Sequence, residues 1–273
     1  MSPAPAPWLL GPPADDPSRT RVFCFPHAGS GASAFTAWRA RLPEPLELCP
    51  VQLPGRESRF GDPMPDTLEE LTEQTARALL PFLRPPFVLL GHSFGGLLAY
   101  ALTRYLRERG LPLPRALLIS GARPPHVPAE AAHHTWPHER LVEHLRATGG
   151  VPDVLLQHEE FVRRLLQILR TDLRTAAGYR PAPAAPLACP VEVFAALDDP
   201  VVAPSAVAGW REYAGGEFGV HRGPGGHYAV YDTSGDLFGA VVRSALAPRP
   251  GPGGDRASDG PEGPEGPEGD TTP

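Results

Sequence analysis

The segment Pro86-Phe87-Val88-Leu89-Leu90-Gly91-His92-Ser93-Phe94-Gly95-Gly96 limits what this chain can fold into more than any other stretch. Val88-Leu89-Leu90 is apolar without alternation, as in a short strand covered on both faces. Leu97 to Arg109 continues with good helix formers. Between them lies G-x-S-x-G, the pattern of a sharp strand-to-helix turn with a serine at its apex. Gly91 and Gly95 leave room where a Cβ would collide with neighbouring backbone. The helix start points free N–H groups at the space beside Ser93, where a developing oxyanion would be stabilised. A serine presented in this way is a candidate nucleophile if a base reaches it.

The rest of the chain supplies a matching framework. Val22 to Phe25 reads as a first strand, running into the glycine-rich turn Pro26-His27-Ala28-Gly29-Ser30-Gly31. Phe35 to Leu42 reads as a short helix and Leu46 to Leu53 as a second strand, ending in Pro54-Gly55-Arg56. Asp66-Thr67-Leu68-Glu69 has the D-x-x-E form of a helix start. Leu68, Leu71, Thr75, Ala78/Leu79 and Phe82 then mark one face at helical spacing. Further strands are expected at 115–120, 191–197 and 217–221, with helices at about 205–213 and 236–246. Apolar strands alternating with amphipathic helices predict an α/β fold, a mostly parallel sheet covered by helices on both faces.

From about His126 to Pro181 no strand-like run occurs. Leu141 to Ala147 reads as a helix closed by Gly149-Gly150. His158 to Ala177 reads as a longer one, with Phe161, Leu165, Ile168/Leu169 and Leu173 on its stripe. A helical insertion of this size between two sheet strands is a candidate lid. The expected layout is a Pro-rich arm over 1–20, one domain over 21–246 with its insertion at about 126–181, and a disordered acidic Pro/Gly tail over 247–273.

Composition removes several classes of function. The net charge is −6, of which the segment from Pro248 onward carries −4. A near-neutral body without a basic cluster argues against a nucleic-acid binder. No apolar run approaches the ~18 residues of a membrane span, and Met1 to Pro13 has neither the basic nor the apolar region of a secretory signal. Cys24, Cys49 and Cys189 form no C-x-x-C pair, which suits a reducing, cytoplasmic setting. His134 and His138 stand four apart, but Pro137 interrupts the turn and no third ligand follows at fixed spacing, so neither a metal nor another cofactor is expected. The arginines of 158–177 belong to an insertion with seven arginines and seven acids, and read as a solvated face.

Around Ser93 the candidate chemistry assembles in order. An orienting acid and a histidine base should follow the serine, each in a loop after a strand. Asp198 and Asp199 follow the strand ending at Leu197, and Asp199 is favoured because Asp199-Pro200-Val201-Val202 has the D-x-x-V spacing usual after the orienting acid. His227, in Gly-Gly-His after the last strand, is the expected base. His221 lies within that strand and is not favoured. The oxyanion donors would be the backbone N–H groups of Phe94, which follows the nucleophile, and of Ala28, in the loop after the first strand. His27 is expected to brace that loop. These residues alone leave a carboxylesterase or lipase, an acyltransferase and a non-catalytic binding module open. The last is disfavoured by the intact Ser-Asp-His set.

Taken together, Phe23-Cys24-Phe25-Pro26-His27-Ala28-Gly29, Leu53-Pro54-Gly55-Arg56-Glu57, Gly91-His92-Ser93-Phe94-Gly95-Gly96, Leu169-Arg170-Thr171-Asp172-Leu173, Asp199-Pro200-x-Val202 and Gly226-His227-Tyr228 resemble the external (type II) thioesterases of polyketide and non-ribosomal peptide pathways. The likeness spans roughly Trp8 to Leu246. It implies an α/β-hydrolase fold with a helical lid. It also implies hydrolysis of acyl groups from the phosphopantetheine arm of an acyl or peptidyl carrier protein, an editing role. Phe94 stands where methionine is common, and since the backbone N–H is what acts, the mechanism is unaffected. No Asp-Ser-Leu attachment site occurs in this chain, so the carrier is expected to be a separate partner; the enzyme itself is expected to be a monomer.

Overall fold

A computed structural model of the chain describes residues 8–11, 13–14, 16–127 and 132–248. Its strands are β1 (Thr20–Phe25), β2 (Leu46–Pro50), β3 (Phe87–His92), β4 (Ala116–Ser120), β5 (Val191–Ala196) and β6 (Phe218–Gly223). All pair in parallel, in the order β2-β1-β3-β4-β5-β6. The helices are α1 (Leu68–Leu79), α2 (Phe94–Glu108), α3 (His138–Thr148), α4 (Glu159–Gly178) and α5 (Asp236–Leu246).

The period of two along each strand divides the core between the two faces. Phe23, Phe25, Leu89, Leu117, Ile119 and Val193 face α1 and α2, meeting Leu68, Leu71, Leu98 and Leu102. Their neighbours Val22, Cys24, Val88, Leu90, Leu118 and Phe194 face the other way. They pack on Phe35 and Trp38 and on Phe238 and Val241 of α5. Strands with apolar side chains on both faces need a layer on each side, which is why the sheet reads as continuous apolar runs. Strand order reverses at β1, whose two neighbours are β2 and β3. A crevice therefore opens beyond the carboxyl ends of β1 and β3, where ligands bind in sheets of this kind.

Several local expectations are corrected. The 35–42 helix is a 3-10 helix over Ala32–Ala40, and 205–213 is one over Ala206–Tyr213. β2 stops at Pro50, and Val51 then bridges antiparallel to Leu9, so part of the N-terminal arm is pinned to the sheet. Arg59 stacks over the Trp8 ring at 3.9 Å. The cap of α1 is Thr67, whose Oγ1 accepts from the Glu70 N–H at 3.1 Å, and not Asp66 with Glu69. Both residues can cap, and it is Thr67 that adopts the extended backbone an N-cap needs. On α4 the buried residues are Val162, Leu166, Ile168, Leu169, Asp172 and Thr175, so Ile168 and Leu169 lie inside as expected, while Leu165 and Leu173 are half-buried and Phe161 is exposed. The buried face is wider than a single stripe because α4 packs against α1, α2 and α3 as well as the loop after β1. Leu141 and Leu145 of α3 close a separate cluster with Val162, Leu166 and Leu169. The acidic tract expected as a disordered tail lies outside the described residues from 249 onward.

Candidate active site

The elbow is held by contacts that only glycine permits. A Cβ on Gly91 would fall onto the carbonyl of Gly95, and one on Gly95 would fall onto the carbonyl of Phe25. The turn therefore packs directly on the end of β1. Ser93 sits at φ 54°, ψ −118°, a backbone that costs of order 1–3 kcal/mol for a residue with a side chain. Its N–H donates to Ser120 O on the next strand at 2.8 Å, and its carbonyl accepts from Gly96 N–H at 2.9 Å. These bonds hold the strained residue in place.

Two further loops meet it. After β5, Asp199 is buried and its Oδ1 accepts from the N–H groups of Val201 at 2.7 Å and Val202 at 2.9 Å. This turn explains the D-x-x-V spacing. It leaves Oδ2 for His227 Nδ1, 2.8 Å away, with both side chains almost fully buried. A carboxylate can only accept, so Nδ1 carries the proton and Nε2 is left as the basic nitrogen. Asp198, by contrast, is exposed and caps the loop after β6 by accepting from Gly225 N–H at 3.4 Å. His221 is paired with Glu192 at 2.8 Å and stacked on Phe194, away from Ser93.

Ser93, Phe94, Ala28, His27 and His227 line one cleft of about 310 Å³. Its remaining wall is largely apolar, with Leu97, Ala122 and Val202 from the domain and Leu145, Leu169 and Leu173 from the insertion. No hydrogen bond joins the Ser93 hydroxyl to the His227 ring among the described residues. In unliganded hydrolases that bond is often long and tightens with substrate. Among the described residues, the N–H groups of Ala28 and Phe94 are not taken up by any protein acceptor.

A layer of rings lies beneath. His92 is fully buried, its Nδ1 is 3.1 Å from Ser120 O, and its Nε2 has no partner. Burial above all, then the nearby His227 and His27, hold this imidazole well below its usual pKa of 6.5. His27 bonds Tyr231 Oη at 2.9 Å and stands edge-on to Tyr228. Burial, with His227 and Arg56 nearby, brings its pKa down to about 3. The His133 ring lies tilted against Trp136 and His144, with ring centroids 4.2 and 5.0 Å away. Among the described residues no group of three His, Cys, Asp or Glu side chains could hold a metal ion. No described helix is long and apolar enough to cross a membrane.

Sequence reasoning missed what joins the insertion to the rest. Arg56 and Asp172 form a buried bidentate ion pair at 2.7 and 2.8 Å, and Asp172 also accepts from Gly29 N–H at 2.8 Å. Both residues stand in motifs noticed in the sequence, but nothing local shows that they meet. Tyr228 contacts the turn that closes α3, and a Cβ on Gly150 would strike its hydroxyl.

An all-parallel sheet whose switch-point crevice holds a strained serine elbow, with a buried Asp–His pair beside it, defines an α/β-hydrolase. Comparison with known proteins narrows the class. The thioesterase domain profile matches residues 20–244. The gramicidin S biosynthesis protein GrsT of Aneurinibacillus migulanus is 33% identical over 89% of this chain and 96% of its own length. Thioesterase PikA5 of Streptomyces venezuelae is 31% identical over 86% of this chain and 84% of its own length. Among solved structures, the RedJ thioesterase of the prodiginine pathway in Streptomyces coelicolor superposes with a TM-score of 0.77 at 38% identity, covering 86% of this chain and 93% of RedJ. The chain belongs to the thioesterase family, and its class of chemistry is thioester hydrolysis.

Proposed function

We propose that this protein hydrolyses acyl groups from the phosphopantetheine arm of a separate acyl or peptidyl carrier protein, in an editing role beside a polyketide or non-ribosomal peptide assembly line. The kinship with biosynthetic thioesterases supports the substrate class. The observation that carries the mechanism is the buried 2.8 Å contact of Asp199 with His227 Nδ1 in the loop beside Ser93. His227 Nε2 takes the Ser93 proton while Asp199 holds the ring in the required tautomer. Ser93 attacks the thioester carbonyl, and the oxyanion is received by the N–H groups of Ala28 and Phe94. The thiol leaves, and water activated by His227 releases the acid. A thiol near pKa ~8.5 departs more readily than an alcohol and needs less protonation help. The insertion over 126–181 serves as the lid, its apolar inner face suiting an acyl chain.

The test is mass spectrometry of carrier proteins loaded with a panel of acyl-phosphopantetheine groups, with and without the enzyme. A matching oxygen ester is run alongside. The expected result is release of free acid from the carrier and slower turnover of the oxygen ester. Ser93→Ala should reduce kcat by roughly 10⁴–10⁶-fold. A fully active Ser93→Ala protein overturns the mechanism, and preference for the oxygen ester overturns the substrate class.

A further inference from the structure

Ala28 is useful as an oxyanion donor only if its N–H points at the cleft, and two bonds determine that. The His27 carbonyl, in the same peptide plane as Ala28 N–H, accepts from Ser30 N–H at 3.2 Å. In a trans peptide the C=O and N–H point in opposite directions, so this bond turns Ala28 N–H away from the turn's interior. The next plane is set by Gly29 N–H, which donates to Asp172 Oδ2 at 2.8 Å. Gly29 has φ +82°, and a Cβ there would press on Leu165 and Leu169 of α4. The loop thus lies directly against the insertion.

Asp172 is itself fixed. Arg56 grips both its oxygens, donates to Ser30 O at 3.1 Å from Nη1, and is tied by Nε to Pro54 O at 3.1 Å. Arg56 is 3% exposed and Asp172 2% exposed. A buried pair of this kind is weak evidence for stability, because desolvation offsets most of the attraction. Its bonds to the loop after β1 indicate what it is for.

We propose that Asp172 and Arg56 are positioning residues for the oxyanion loop: α4 reaches from the insertion to fix the Ala28–Gly29 peptide, and Arg56 holds the carboxylate that does so. This rests on the reading of Ala28 as an oxyanion donor.

The test uses Arg56→Met/Asp172→Leu, which replaces the pair by apolar side chains of similar size, a change that buried pairs often tolerate. Asp172→Asn is a near-isosteric companion should the double variant fail to fold. The expected result is a folded double variant with kcat lowered by roughly 10–10²-fold, KM within a few-fold, and a parallel loss of affinity for a boronic acid that forms a tetrahedral adduct on Ser93. A purely structural pair would shift the unfolding midpoint and leave kcat and the boronate affinity alone. Folded variants with unchanged kcat and boronate affinity overturn the proposal. The rate of Ser93 labelling by a fluorophosphonate separates the two readings. If the wild type labels but hydrolyses no carrier thioester, the substrate reading fails. A slower labelling rate in the variants then still supports the loop assignment, and an equal rate overturns it.

Discussion

Acidification from about pH 7 to about pH 5 should destabilise this protein through His92, by at most about 2 kcal/mol. The ring has no exposed surface, and its Nε2 finds no partner to share a proton with. Burial first, then His227 and His27, keep it well below 6.5 in the native state. An unfolded chain has no such penalty and protonates near 6.5. Below that pH the unfolded state binds more protons, so stability falls as pH falls, down to the native pKa. The unfolded-state value sets the ceiling: from about 6.5 down to about pH 5 is about 1.5 units, each worth at most roughly 1.4 kcal/mol. His27, brought down to about 3, acts in the same direction. It is partly open to the cleft, so solvent screening makes its share smaller. Urea unfolding followed by the emission of the buried Trp38 and Trp210 reads the effect. His92→Gln removes the titration. The stability gap between wild type and variant should therefore shrink, by at most about 2 kcal/mol, between the two pH values, whatever its size at neutrality. A gap that stays constant would refute the reasoning, since it would mean that the native ring is free to charge.

Three further outcomes are expected. Asp199→Asn should lower kcat by about 10³–10⁴-fold with an intact fold, because Nδ1 loses the acceptor that sets its tautomer. Asp198→Asn should stay within a few-fold in the same thioester assay, and equal losses at the two positions would contradict the assignment. Gly95→Ala should yield little folded protein, since its Cβ meets the Phe25 carbonyl, whereas Gly61→Ala meets nothing within 4 Å and should shift the thermal midpoint little. Thr67→Ala should destabilise by about 1 kcal/mol in denaturant unfolding, and Asp66→Ala by less, because Thr67 provides the cap.

Much of this protein could be read from local sequence. Apolar runs at 22–25, 88–90 and 116–119 and the amphipathic stretches between them follow from the periods of strand and helix. Each is a property of a few neighbouring residues. The elbow is equally local, because the glycines at 91 and 95 are needed by the turn they stand in. Ser93, the acid and His227 could be ordered because the loops of a parallel sheet all open at one end.

What the tertiary structure alone decided depends on contacts across long separations. Asp198 and Asp199 are chemically equal and adjacent, and only the turn through Val201 and Val202 buries one of them against His227. The full buried face of α4 could not be read from its own periodicity, because several elements cover it. Arg56 and Asp172 are 116 positions apart, and neither segment shows in isolation that it needs the other. A strand, a turn or a nucleophile elbow is specified by the chain near it. Which buried charge finds which partner is settled only when the sheet and the insertion close on the same loop.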